Sequence, residues 1–220
     1  KRVDGHVLES ELHASLKDRA AAARALRAGL AVADDSSAAM RLYRLLVADK
    51  NVKEAEALAT DWTKRHPDDV DFLRTLGDIQ LQAHAYQAAE RRYQEVLKLT
   101  PNDSKVLNNM AWLRHRLGQA DALGYAERAL ALDAANPNVM DTLAQILMAN
   151  QQVPRAVELA KRVMQAQDGN VALKLSAAGL LVKAGVEQPF VSAQLDSILR
   201  SDSQRRSEER RVGKECRLTC

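Results

Sequence analysis

The sequence predicts an all-α protein, an α-solenoid of antiparallel helix pairs stacked into a right-handed superhelix. Three observations predict it. The first is composition. Of 220 residues, 37 are alanine and 30 leucine, beside many Glu, Lys, Arg and Gln, the residues that lose least on entering a helix. Aromatics at 4% with 9 glycines and 5 prolines argue against strands alternating with tight turns, and 46% apolar residues argue against disorder. The second is a period. Arg65-His66-Pro67-Asp68-Asp69 and Leu99-Thr100-Pro101-Asn102-Asp103 lie 34 residues apart, Leu132-Asp133-Ala134-Ala135-Asn136 follows 33 later, and Ala166-Gln167-Asp168-Gly169-Asn170 another 34 on. The third is that apolar and small columns keep the same step. Leu42, Leu76, Met110 and Leu143 are followed by Tyr43, Gly77, Ala111 and Ala144. Further on come Ala55, Ala89, Ala122 and Ala156, then Ala59, Tyr93, Ala126 and Ala160. Small residues at facing sites let two helices approach, and the large ones between fill the space to the next pair.

The elements follow in order. Residues 1–35 read as a partial or divergent pair, with a damaged first helix over 7–16 and a second over 18–33. Full pairs follow at 36–69, 70–103, 104–136 and 137–170, with Ser36, Ser104 and Asn136 as N-caps. Pro or Asp after each second helix stops it. The residue lost from the third full pair is placed in the turn at Gly118-Gln119, where a deletion is tolerated. Residues 171–200 read as a degenerate pair: a helix over 171–184, a stop at Gly185, and a second helix opening at Pro189. Residues 201–220 read as a disordered tail.

A helix–turn–helix period of this length with these columns resembles the tetratricopeptide repeat. Three strings narrow the likeness: Leu107-Asn108-Asn109-Met110-Ala111-Trp112-Leu113, Ala122-Leu123-Gly124-Tyr125-Ala126-Glu127-Arg128-Ala129-Leu130, and Asn136-Pro137-Asn138-Val139-Met140-Asp141-Thr142-Leu143. They resemble the C-terminal part of the tetratricopeptide lipoproteins of the PEP-CTERM system, found in Gram-negative bacteria that make exopolysaccharide. Arg41-Leu42-Tyr43-Arg44-Leu45-Leu46 fits the same family, and the resemblance covers residues 36–185. It implies a periplasmic or outer-membrane-associated location, with a lipid anchor on the full-length protein. The chain opens at Lys1 with neither Met nor leader and reads as a fragment.

From Arg206 the pattern changes. Arg206-Ser207-Glu208-Glu209-Arg210-Arg211-Val212-Gly213-Lys214-Glu215-Cys216-Arg217 resembles the in-frame translation of a sequencing-adapter oligonucleotide and is read as non-native. Setting residues 206–220 aside removes both cysteines, Cys216 and Cys220, and two of the three net positive charges. That leaves 27 basic against 26 acidic residues. The charge then supports no nucleic-acid partner, and the cysteines say nothing of redox compartment. No apolar run is long enough to span a membrane.

Chemistry-bearing patterns are sparse. His6, His13, His66, His84 and His115 show no metal-ligand spacing. Neither a phosphate-binding glycine loop nor a nucleophile elbow is present. Carboxylates beside Arg and Lys on helix faces read as solvated partners. The sequence therefore predicts no catalytic site, no metal and no cofactor, and points to a monomeric scaffold whose surface binds a protein or peptide partner. The first helices of the pairs line the concave side of such a stack. By phase, the lining comprises Met40, Arg44 and Val47; Asp71, Arg74, Asp78 and Gln82; Lys105, Asn108, Trp112, His115 and Arg116; and Asn138, Asp141, Gln145 and Met148. Asn108 and Arg116 suit a peptide backbone or carboxylate, with a bond from Asn108 or Asn109 to a neighbouring helix as the alternative; Trp112 could stack on a ligand or pack between repeats, and Trp62 reads as core or convex surface. Two alternatives stay open: the recognition arm of a larger enzyme such as a glycosyltransferase, and a chaperone-type carboxylate clamp. Asp71, Asp78 and Asp141 interrupt the basic surface that a clamp needs.

Overall fold

The computed structural model describes residues 2–166, 171–186, 191–193, 196 and 200. They hold no strand, and the helices with described bounds are α1 Val3–Ser15, α2 Arg19–Leu30, α3 Ser36–Ala48, α4 Val52–Arg65, α5 Val70–Gln82, α6 Tyr86–Leu99, α7 Ser104–Arg116, α8 Ala122–Leu132, α9 Pro137–Ala149, α10 Val153–Gln165 and α11 Val171–Lys183, with residues 191–193, 196 and 200 helical as well. The chain divides into two compact units, Lys1–Pro101 with α1–α6 and Asn102–Cys220 with α7–α11. Pro189, the tail from residue 201 and the adapter-like string lie outside the described residues.

Aspartates start the helices. Asp18, Asp35, Asp69 and Asp103 each accept a hydrogen bond from the backbone N–H three residues on, at 2.7 to 3.1 Å, and cap α2, α3, α5 and α7. Asn136 caps α9 through the Asn138 N–H at 3.0 Å. Ser36 and Ser104 are therefore not the caps that the sequence suggests but the first helical residues. A carboxylate one position earlier also meets the positive end of the helix, and each cap contributes about 1 kcal/mol. Ser36 acts differently, because its hydroxyl donates to Asp69 at 3.0 Å and ties its own pair to the next pair's cap. The other Asp69 oxygen accepts from Trp62 Nε1 at 2.7 Å. Trp62 is 2% exposed, so of the core and convex-surface placements it takes the core.

The turns inside the pairs repeat one device. Lys17, Lys50, His84, Gly118, Gln151 and Gly185 all adopt positive φ, between 58° and 74°. After each, the next N–H reaches back five residues, as Asn51 does to Leu46 at 2.8 Å and Gln152 to Leu147 at 2.9 Å. The left-handed residue's own N–H reaches back three. These paired bonds satisfy the carbonyls at the end of the first helix. The shortened copy loses its residue just beyond Gly118. There α8 starts only at Ala122 and runs 11 residues, where α4 and α6 run 14.

The apolar columns form the cores. Leu42, Leu76, Met110 and Leu143 are 3%, 0%, 0% and 0% exposed. In the first unit they join Leu26, Tyr43, Trp62 and Phe72. In the second, Leu143 packs with Ile146, Leu147, Leu159, Val163 and Leu181. The small columns are less uniform. Fully buried Tyr93 stands where other copies carry Ala, and Gly77 of α5 makes room for it: a Cβ on Gly77 would lie 2.6 Å from the Tyr93 ring. The first pair, α1 with α2, opens four residues earlier than the sequence suggests, at Val3.

A candidate binding cleft between α7, α9 and α11

In the second unit the first helices of three successive pairs stand in a row, α9 lying against both α7 and α11. Between them opens a cleft of about 460 Å³. Its lining comes from His115 of α7, Gln145, Met148 and Ala149 of α9, and Leu175, Ser176, Gly179, Leu180 and Lys183 of α11. The floor is apolar and open. Leu175 is 51% exposed, and a Cβ on Gly179 would meet nothing within 4 Å.

One polar device stands in this apolar wall. Gln145 Nε2 donates to Asp141 Oδ2 at 2.7 Å and to Ser176 Oγ at 3.2 Å. Asp141 is 6% exposed and forms no ion pair among the described residues. Burial pushes its carboxyl above the usual range, the nearby Ser176 hydroxyl and the Gln145 amide hold it down in part, and its Oδ1 is closed off from solvent without a hydrogen-bond partner. Asp141 therefore does not line the cleft, as its phase suggests; it lies behind Gln145. Helix phase fixes which face a residue occupies but not how far the next helix covers it, and α11 covers this one.

The other expected lining residues divide by unit. In the second, the cleft gathers His115, Gln145 and Met148 but not Lys105, Asn108, Trp112, Arg116 or Asn138. Lys105 and Arg116 are exposed, while Asn108 and Trp112 are half-buried, with Asn108 Oδ1 closed off from solvent. In the first unit, Arg44 borders a smaller cleft of about 350 Å³ with Glu11, Ala14, Arg41 and Ala48. Its Nη2 donates to Thr75 Oγ1 at 3.3 Å, and the Thr75 hydroxyl donates to the sulfur of Met40 at 3.1 Å. Arg74 pairs with Asp71 at 2.7 Å. Asp78 accepts from the Tyr93 hydroxyl at 2.8 Å, so this carboxylate braces the core rather than standing open for a ligand.

Phase within the four full pairs leaves out the α11 contribution. The signal was available in the sequence: Leu175 continues the column of Asn108 and Asp141, and Lys183 that of Arg116 and Ala149, at steps of 33 and 34. Among the described residues no group of three His, Cys, Asp or Glu could hold a metal, and no helix is long and apolar enough to cross a membrane.

Helix pairs with capped starts, left-handed turns and a 34-residue step define a solenoid of the tetratricopeptide type. A tetratricopeptide-repeat family model matches residues 93–122. Over most of its length the chain is similar to a tetratricopeptide repeat protein from Parabacteroides merdae, with 13% identity, a TM-score of 0.71, and 90% of this chain and 79% of that one covered. The Pseudomonas aeruginosa protein pilF gives 18%, 0.69, 89% and 88%. Yeast Tom70 gives 15%, 0.71, 89% and 43%. No curated protein matches the sequence.

Proposed function

We propose that the chain is a noncatalytic protein-interaction scaffold, monomeric and without a nucleic-acid role, that holds a segment of a partner protein or peptide in the cleft between α7, α9 and α11. The observation that carries this is the open apolar floor around Leu175 and Gly179. Large apolar side chains clustered on an accessible concave surface cost free energy in water and mark sites that are covered in use. Within the same unit, Lys105, Asn108, Trp112 and Arg116 are secondary contacts on this proposal, whereas Arg44, Arg74 and Asp78 belong to the first unit and are no part of it.

The test is direct. Peptides selected for binding to the full chain should bind Leu175→Asp about tenfold more weakly or worse, because a carboxylate must desolvate against an apolar ligand. Selected peptides that bind both forms equally would remove the cleft from the site. The finer proposal is that the scaffold serves exopolysaccharide assembly in a bacterial envelope of the PEP-CTERM type. Its support is the likeness of the strings at Leu107–Leu113 and Asn136–Leu143 to that family's lipoproteins. Deleting the gene in its host should reduce surface polysaccharide without altering growth. Unchanged polysaccharide would sink this part and leave the scaffold reading standing.

A further inference from the structure

We propose that the occupant of this cleft is an extended peptide segment with an apolar side chain and, close behind it, a carboxylate. This rests on the α7–α9–α11 cleft being the binding site.

The Gln145 amide has a fixed direction. Its Nε2 donates to Asp141 and to Ser176. A carboxylate only accepts, so the amide nitrogen must face Asp141, and its two hydrogens are both engaged. The carbonyl Oε1 then stands on the cleft wall as an acceptor whose orientation is set from behind. It receives no hydrogen bond from the described residues and is not closed off from solvent. Such an acceptor suits a peptide N–H. A helical occupant has its N–H groups engaged within itself, whereas an extended strand offers one to each side. Asp141 is thus a positioning residue for Gln145.

The floor favours an apolar anchor. Met148, Leu175 and Leu180 supply apolar surface, and the missing side chain at Gly179 leaves the depth that an aliphatic or aromatic anchor would fill. The charge of the lining favours an acidic neighbour to that anchor. The lining holds no Asp or Glu. Its ionisable groups are His115 and Lys183, and among the described residues neither side chain has a hydrogen bond or ion-pair partner. A carboxylate beside the anchor gains an ammonium partner there, whereas a lysine or arginine is repelled.

The experiment is a display selection of randomised short peptides, fused so that none ends in a free carboxylate, on the full chain and in parallel on Leu175→Asp. Leu175 is half exposed, so the variant folds, and circular dichroism checks that it does. Peptides enriched on the parent and lost on the variant are the cleft's ligands. The expected sequences carry Leu, Ile, Phe or Met with Asp or Glu shortly after. A synthesised representative should lose about tenfold in affinity on Lys183→Glu and little on Lys183→Arg. Gln145→Leu together with Asp141→Leu, which leaves no buried carboxylate without its donor, should weaken it without lowering the melting temperature. Cleft-dependent peptides rich in Lys or Arg, or without charge preference, would overturn the acidic segment while leaving the cleft in place. If no enriched peptide depends on Leu175, the cleft itself is not the site.

Discussion

Gly77→Ala is expected to destabilise the first unit although alanine is the better helix former. The new Cβ would lie 2.6 Å from Tyr93 Cε1, 2.9 Å from Cδ1 and 3.2 Å from Cζ, well inside ordinary contact. The ring cannot simply swing away. Tyr93 is fully buried and its hydroxyl is held at 2.8 Å by Asp78. Retreat by most of an ångström costs about 1–3 kcal/mol in overpacking, and stretching the hydroxyl bond adds about 1 kcal/mol. The gain in helix propensity returns about 1 kcal/mol. The net is a loss of about 1–3 kcal/mol, read by urea unfolding of a Trp112→Phe parent in which Trp62 fluorescence reports on the first unit alone. The second arm is Tyr93→Ala, which recreates the small-on-small pairing of Ala111 with Ala126 and of Ala144 with Ala160. In that background Gly77→Ala should be neutral or stabilising, giving a coupling of about 2–3 kcal/mol. Gly124→Ala on α8, where nothing lies within 4 Å of the new Cβ, should stabilise by about 0.5–1 kcal/mol. Additive effects in the cycle, or a stabilised Gly77→Ala, would refute the argument that glycine is there to admit the tyrosine.

Three further outcomes follow from other contacts. Trp62→Phe keeps the buried ring and removes the donor to Asp69, and should cost about 1.5–3 kcal/mol in urea unfolding followed by circular dichroism; a change below half of that would mean water replaces the bond. Asp103→Ala should cost about 1 kcal/mol and Ser104→Ala under half as much, because the cap is the aspartate; the reverse order of melting temperatures would return the cap to the serine. Asp141 has its folded pKa raised by burial, so the penalty of its charge is fully present above that pKa and fades as pH falls towards the unfolded value. The stability of Asp141→Asn relative to the parent should therefore be greatest near neutral pH and shrink towards about pH 4, and a difference independent of pH would place the carboxyl in solvent.

The helices were legible because periodicity states which face is buried, and Leu42, Leu76, Met110 and Leu143 are all inside. Cap positions were off by one at Ser36 and Ser104, since Asp-Ser offers two capping residues in sequence and only the helix's own start decides between them. Tyr43 and Tyr93 stand in columns otherwise filled by glycine and alanine. They are balanced by volume: Tyr93 stands on Gly77, and in the preceding pair large Tyr43 shares its column set with small Ala59. A column read one position at a time cannot show that exchange. Of the residues that helix phase puts on the concave face, His115, Gln145 and Met148 border the cleft. Arg74 and Asp78 had the right face but were already engaged, by a neighbour three residues away and by a tyrosine on the next helix.

The least economical feature of the second unit is Asp141. A carboxylate at 6% exposure without a cation costs free energy that a methionine, asparagine or leucine would not, and those three types occupy the same register position at Met40, Asn108 and Leu175. Stability alone gives no reason to keep a buried charge beside an otherwise apolar wall. What the carboxylate does achieve is directional: as a pure acceptor it fixes which end of the Gln145 amide points outward, and with Ser176 it uses both amide hydrogens. An asparagine there could donate as well as accept, and the glutamine could then turn over. A local cost that fixes one acceptor on the wall of an open cleft is what a recognition surface requires, because an acceptor already oriented loses less entropy when a peptide N–H arrives.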